Sequence, residues 1–192
     1  MDVEESTLSG MPGGTGALLD EVRDLLTGRV IGPGDPDYDQ ARTIMYGGFD
    51  RRPALIARVA DADDVAIVIR FARESGLDLA VRSGGHSVAG HSATEGGIVL
   101  DLRDMKAIDI DVDERTAWAE TGLTAAEYSA AVAEHGFVTG FGDTGSVGIG
   151  GITLGGGVGF LVRKHGLTID SLLAAEVVTA DGEVLYCDEE TH

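Results

Sequence analysis

Cysteine is almost absent from this sequence: Cys187 is alone among 192 residues, so no internal disulfide can form. A cysteine-rich metal site and a disulfide-stapled secreted scaffold are both excluded on the same ground. Basic residues are scarce as well. Lys and Arg total 14 against 33 Asp and Glu, a formal net charge of −19, and only Lys106 and Lys164 are lysines. Such an excess of acid argues against a nucleic-acid backbone or an anionic membrane surface as partner, because both would be repelled. No apolar run approaches the roughly 20 residues needed to cross a bilayer. The opening Met1-Asp2-Val3-Glu4-Glu5 lacks the basic and apolar regions of a secretory leader, so the expectation is a cytoplasmic protein. Apolar residues make up 43%, enough for a real core.

Hydrophobic periodicity and turn chemistry divide the chain. Leu18, Leu19, Val22, Leu25 and Leu26 form a helical stripe, with Thr15 as cap and Gly28 as stop. Gly32 to Tyr38 reads as a loop. Ala54–Val59 suits a strand, followed by a helix capped by Asp61 and ended by Gly76, and then a short strand at Leu79–Val81. Ile98–Leu102 reads as a buried strand. Ile108, Ile110 and Val112 alternate with Asp109 and Asp111, and Arg115–Thr121 pairs back across Asp113-Glu114. Thr124 and Glu127 have the spacing of a capping box. Strands at Ala174–Thr179 and Val184–Cys187 flank Asp181-Gly182. Because several strand pairs are hairpins, the expected class is α+β and not a doubly wound parallel sheet. Residues 1–39 are expected to lead into one domain, 40–192.

Glycine is the compositional excess, at 29 residues. Half of residues 140–159 are glycine, at 140, 142, 145, 148, 150, 151, 155, 156, 157 and 159. Glycine is entropically costly in regular elements, so this density needs a cause. One cause is bare backbone presenting N–H groups to the anionic oxygens of a bulky ligand; another is a close-packed turn region. A flexible linker is disfavoured, since Val147, Ile149, Ile152, Leu154, Val158 and Phe160 are interleaved and want burial. Gly148-Ile149-Gly150-Gly151 matches a Rossmann fingerprint only loosely and lies late in the chain. No P-loop lysine follows. Upstream, Arg82-Ser83-Gly84-Gly85-His86-Ser87 leaves a strand with a cation, small donors and free amides, the components of a pyrophosphate cradle. Taken singly, Arg82 reads more readily as a surface cation and His86 as a loop histidine.

The two segments in this order, with Gly142-Asp143-Thr144-Gly145-Ser146-Val147-Gly148-Ile149-Gly150-Gly151 some 55 residues after the first, resemble the FAD-binding domain of the vanillyl-alcohol oxidase / p-cresol methylhydroxylase (PCMH-type) family. Within that family they look most like the berberine-bridge-enzyme-like oxidases. The resemblance extends through Gly155-Gly156-Gly157-Val158-Gly159-Phe160 and Glu176–Gly182, covering about residues 40–188. It implies a fold of two small α/β lobes, here incomplete at its C-terminal end. It also implies an FAD held by Arg82, Ser83, Gly84, Gly85, His86 and Ser87 on one side. On the other side stand Gly142, Asp143, Thr144, Gly145, Gly148, Gly150, Gly151 and Thr153. His86 matches the histidine that the family bonds to the flavin 8α-methyl carbon, where a neutral imidazole nitrogen can add. Thr144 stands where some relatives carry a second, cysteinyl link, so one link is expected.

Cys187 reads as a small strand residue, and His165 as a turn histidine. His91 follows His86 by five residues, but nothing completes a metal-ligand set. No residue up to His192 is a persuasive catalytic base. The chain stops directly after a hairpin, which suggests part of something longer. In relatives a substrate-binding domain follows. Two readings therefore stand. One is the FAD-binding portion of an oxidase that passes hydride from a substrate C–H bond to flavin N5 and electrons to O2, with an alcohol, sugar or cyclic amine as the small-molecule substrate. That reading leaves room for association with the missing substrate domain or another protomer. The other is a stand-alone flavin- or nucleotide-binding module.

Overall fold

The structure, a computed structural model, describes residues 14–192, so the acidic opening segment falls outside the described residues. Helix α1 (Gly14–Leu25) leads to strand β1 (Arg29–Ile31), and a short helix α2 (Tyr38–Arg42) precedes strand β2 (Leu55–Arg58). Helix α3 (Ala62–Ser75) then connects to strand β3 (Leu79–Arg82), and strand β4 (Ile98–Asp101) follows a long loop. These elements build the first lobe, a four-stranded sheet in the order β1-β2-β4-β3. The β1/β2 pair is antiparallel, while β4 lies parallel to both β2 and β3. Every residue of β4 is buried, as its unbroken Ile98-Val99-Leu100 run requires of a strand covered on both faces.

Both ends of α3 follow from its sequence. The Asp61 side chain accepts from the Asp64 amide at its start, and Gly76 closes it in the left-handed conformation at φ 68°. One face of α3 puts Val65, Val68, Phe71 and Ala72 into the same core as Leu19 and Val22 of α1 and Leu55, Ile98 and Leu100 of the sheet. Leu19, Val22 and Val30, from the segment before residue 40, thus pack into this core. Strand β1 was not legible in the sequence, because three residues carry no periodicity. Thr15, expected as the cap of α1, lies inside the helix. Gly28, expected as its stop, serves close approach instead: a Cβ there would overlap the Arg58 carbonyl oxygen.

The second lobe holds two antiparallel hairpins. Strands β5 (Ile108–Asp111) and β6 (Thr116–Ala119) form one, and β7 (Ala174–Val178) and β8 (Val184–Asp188) the other. Between them lie α4 (Ala125–Ala133) and the short helices α5 (Ile149–Leu154) and α6 (Val162–His165). Trp118 of β6 and Tyr186 of β8 stack with centroids 6.0 Å apart, which brings the hairpins together. The lobes are tied by α3, whose Arg70 donates to the Gly182 carbonyl at 2.9 Å and whose Arg73 donates to the Ala180 carbonyl at 2.9 Å. The mixed helix-and-sheet class and the two small lobes agree with the expectation from sequence.

Asp64 is the main polar tie inside the first lobe. Its buried carboxylate accepts from the amides of Thr27, Gly28 and Ala60 at 2.9, 2.8 and 2.9 Å, pinning the end of α1 to the start of α3. Asp64→Ala removes the acceptor shared by three part-buried amides and is expected to cost about 1–3 kcal/mol of folding free energy. Urea denaturation of the variant checks this; a loss below about 0.5 kcal/mol, the level of an ordinary surface substitution, would contradict it.

Candidate functional site at the junction of the two glycine-rich loops

The Arg82–Ser87 loop leaves the end of β3 and meets the Gly142–Gly151 stretch backbone to backbone. A Cβ on Gly84 would overlap the amide nitrogen of Gly148, and a Cβ on Gly148 would overlap both the Gly84 nitrogen and the Ser83 hydroxyl oxygen. Only glycine at both positions permits this contact. Ser83 Oγ reinforces it by donating to the Thr121 carbonyl at 2.6 Å. The Gly145–Ile149 backbone is held in turn by the segment entering α4. The amides of Ala125 and Ala126 donate to the Val147 and Gly145 carbonyls at 2.8 and 2.9 Å, and the Ile149 amide donates to Leu123 at 2.9 Å. The capping box expected from Thr124 and Glu127 is formed and anchors that start of α4. Lys106 first, then the Thr124 amide, holds the Glu127 carboxyl down at about 2.

Among the described residues, the five successive amides of Ser83, Gly84, Gly85, His86 and Ser87 donate to no protein acceptor. Gly85 takes φ 73° within this run. A loop of consecutive free N–H groups is a concave site for anionic oxygens. Across the junction, Gly150 and Gly151 in the first turn of α5 also have amides without acceptors. The two differ in what surrounds them. A Cβ on Gly150 would stand 3.0 Å from Thr121 Cβ, whereas one on Gly151 meets nothing within 4 Å. Gly151 is the glycine that faces open space.

The remaining expected site residues divide. Gly142 lies against Ile152 and Gly159. Asp143 and Thr144 are exposed and bonded to each other at 3.1 Å. Thr153 Oγ1 donates to the Ile149 carbonyl at 2.7 Å, so its proton is committed to its own helix. His86 is half-buried, and Ser87 Oγ accepts from the His91 amide at 3.1 Å. His165 and Cys187 lie away from the junction, in α6 and β8.

Arg82 requires a correction. Expected as a cation lining the cradle, it is 1% exposed and lies beneath the loop, with Cδ 3.5 Å from a Cβ placed on Gly85. Its Nη2 donates to Asp101 at 2.8 Å, and Asp101, at 0% exposure, also receives Arg103 at 2.7 Å. Burial pushes the Asp101 carboxyl up, but hydrogen bonding and charge from Arg103 and Arg82 outweigh it and hold the carboxyl below its usual range. Burial lowers the Arg82 guanidinium, with Asp101 opposing. Arg82 therefore packs beneath Gly85 and is paired to Asp101, which Arg103 also reaches. Sequence reasoning missed Asp101, although a carboxylate closing a wholly apolar strand needs a buried cation.

Fold and junction together define a two-lobed domain with a loop of unbonded amides where the lobes meet. The chain belongs to the FAD-binding domain family, whose model matches residues 53–188. It is 42% identical over 165 residues to (R)-6-hydroxynicotine oxidase of Paenarthrobacter nicotinovorans, covering 86% of this chain and 36% of that protein. The crystal structure of 6-hydroxy-D-nicotine oxidase from Arthrobacter nicotinovorans superposes with a TM-score of 0.85 over 86% of this chain. The berberine-bridge-enzyme-like protein 1 of Physcomitrella patens gives 0.86 at 27% identity, over 90% of this chain and 38% of that one. Glucooligosaccharide oxidase of Acremonium strictum, whose FAD is described as 6-S-cysteinyl, 8α-N1-histidyl, gives 0.83 at 27% identity, over 92% and 37%. These matches bear out the family resemblance drawn from the two motifs. The chain spans little more than a third of the length of these relatives.

Asp101→Ala leaves the Arg82 charge buried without its counter-ion and is expected to destabilise the fold by about 3–5 kcal/mol. Denaturant unfolding of the variant reads this directly, and near-native stability would contradict the ion pair as a structural element.

Proposed function

We propose that this chain is the FAD-binding portion of an FAD-linked oxidase, with the cofactor's pyrophosphate on the amides of Ser83–Ser87 and the flavin bonded through His86. The observation that carries the proposal is the run of five unmet amides, with the buried Arg82–Asp101 pair packed beneath Gly85. A pyrophosphate supplies the acceptors that these amides lack. When bound, FAD supplies a hydride acceptor at N5 that dioxygen can reoxidise, the redox chemistry a protein lacks on its own. The chain's residues bind and orient: the Ser83–Ser87 loop and Gly151 backbone hold the anion, and His86 presents an imidazole nitrogen from the same loop. The histidyl linkage described for the glucooligosaccharide oxidase supports the His86 assignment. Thr144, which cannot form a thioether, limits attachment to that one bond.

The substrate in this reading is a small molecule with an oxidisable C–H bond (an alcohol, sugar or cyclic amine), and O2 is the second substrate. Leu154 and Phe160 stand 82% and 85% exposed beside the junction. Together with Val158, 69% exposed, they put three large apolar side chains in solvent within one short stretch, which favours a covering polypeptide. A substrate domain or a second protomer would fill that role, and the stand-alone module is the less favoured reading.

Acid precipitation of the purified protein should leave yellow flavin in the pellet, and His86→Ala should release it to the supernatant. Acid-stable flavin retained in His86→Ala would overturn the linkage, and folded protein without any flavin would overturn the cofactor assignment. Gly151→Val fills the open side of the cradle and is expected to abolish FAD uptake without unfolding the protein. Flavin content alongside circular dichroism separates the two effects, and normal occupancy would mean that Gly151 does not face the cofactor.

A further inference from the structure

The loop from Ser83 to Gly97 has no regular structure, so its shape depends on what it is tied to. Residues 44–54 run beside it and tie it repeatedly. The Met45 amide donates to the Gly85 carbonyl at 3.2 Å, the Gly96 amide to Arg52 at 2.8 Å, and the Ala54 amide to Gly97 at 2.8 Å. The middle of the loop, just after His86, is held by side chains. Arg51 Nη1 donates to the Ala93 carbonyl at 2.7 Å and to the Gly90 carbonyl at 3.3 Å. Its guanidinium also lies 5.6 Å from the Phe49 ring centroid. Phe49 in turn closes over Gly90, which takes φ 73° and where a Cβ would stand 2.6 Å from the ring.

Arg51 spends its charge on backbone carbonyls, in a protein with a net charge of −19. Among the described residues no carboxylate lies within ion-pairing distance of it, and its bonds go to two carbonyls of this one loop. Gly90 is linked back toward His86, because its amide donates to the Ser87 carbonyl at 3.1 Å. The connection therefore runs from Arg51 and Phe49 to Gly90, from Gly90 to Ser87, and from Ser87 to the adjoining His86.

We propose that Arg51, braced by Phe49, is a positioning residue for His86, fixing the imidazole for attachment of the flavin without contributing to reversible FAD binding. The proposal rests on the reading of His86 as the attachment point. Attachment breaks the imidazole N–H and one C–H of the 8α-methyl group and forms one C–N bond. Both hydrogens and two electrons pass to dioxygen, giving hydrogen peroxide. Bond formation of this kind depends steeply on placement, and a misplacement of about 1 Å can lower a rate about 100-fold. Reversible binding through the free amides of Ser83–Ser87 has no such dependence on the imidazole.

The test uses the protein as its gene encodes it, prepared without flavin and then given FAD. Arg51→Gln is expected to slow the appearance of acid-stable flavin at least about 10-fold, while Arg51→Lys, which keeps a donor for one carbonyl, recovers part of the rate. In a His86→Ala background, Arg51→Gln is expected to change the FAD dissociation constant less than about 3-fold, the scale of a group outside the binding contacts. Phe49→Leu, which keeps apolar cover over Gly90 but removes the ring under Arg51, provides a second variant should Arg51→Gln fail to fold, and it too should slow attachment. Attachment at the unsubstituted rate in a folded variant overturns the proposal, as does a loss of rate matched by an equal loss of FAD affinity. Absence of acid-stable flavin from the unsubstituted protein overturns the reading of His86 and this proposal with it, which separates the two failures.

Discussion

Gly84 and Gly148 meet where neither could carry a side chain, and much of the candidate site depends on that contact. It brings the exit of β3 in the first lobe against the entry of α5 in the second. The Ser83–Ser87 loop and the residues entering α5 are thereby brought side by side. The contact is a steric permission and not a strong attraction, so it needs support on both sides. On one side Ser83 donates to the Thr121 carbonyl; on the other the start of α4 holds Gly145–Ile149. The Arg70 and Arg73 bonds to the β7–β8 turn close the lobes at a second point.

Electrostatics and packing share the work around this junction. The buried Arg82–Asp101 pair alone would be weak evidence for stability, since desolvation offsets most of its attraction. Its value here is geometric: it seats a guanidinium beneath Gly85, and Arg103 adds a second positive charge. In a protein carrying 33 acidic residues, one carboxylate here holds two guanidinium groups.

Much of this was legible in the sequence where a local rule decides the outcome. Asp61 and Gly76 bounded α3, Thr124 and Glu127 formed their capping box, and the alternation at 108–112 and the turn at Asp181-Gly182 lay in hairpins. The rest depends on partners distant in the chain. Strand β1 exists because β2 offers it an edge, which three residues of local sequence cannot announce. The glycines showed the same limit. Their density signalled bare backbone, but Gly84 and Gly148 clear each other, Gly150 clears Thr121, and Gly151 alone of the four faces open space. A sequence does not say which neighbour a missing Cβ makes room for. Arg82 was misplaced for a related reason: burial along β3 leaves Val81 outside and Arg82 inside, the reverse of what their polarity suggests, and only Asp101 makes that tolerable. Arg51 and Phe49 carried no motif at all.

The measurement that tests the central claim most directly is a crystal structure of the protein with FAD bound. The account predicts the pyrophosphate oxygens within hydrogen-bonding distance of the Ser83–Ser87 amides, the Gly151 Cα facing the cofactor, and the His86 imidazole continuous with the flavin 8α carbon. FAD bound elsewhere, with those amides facing water, would contradict it.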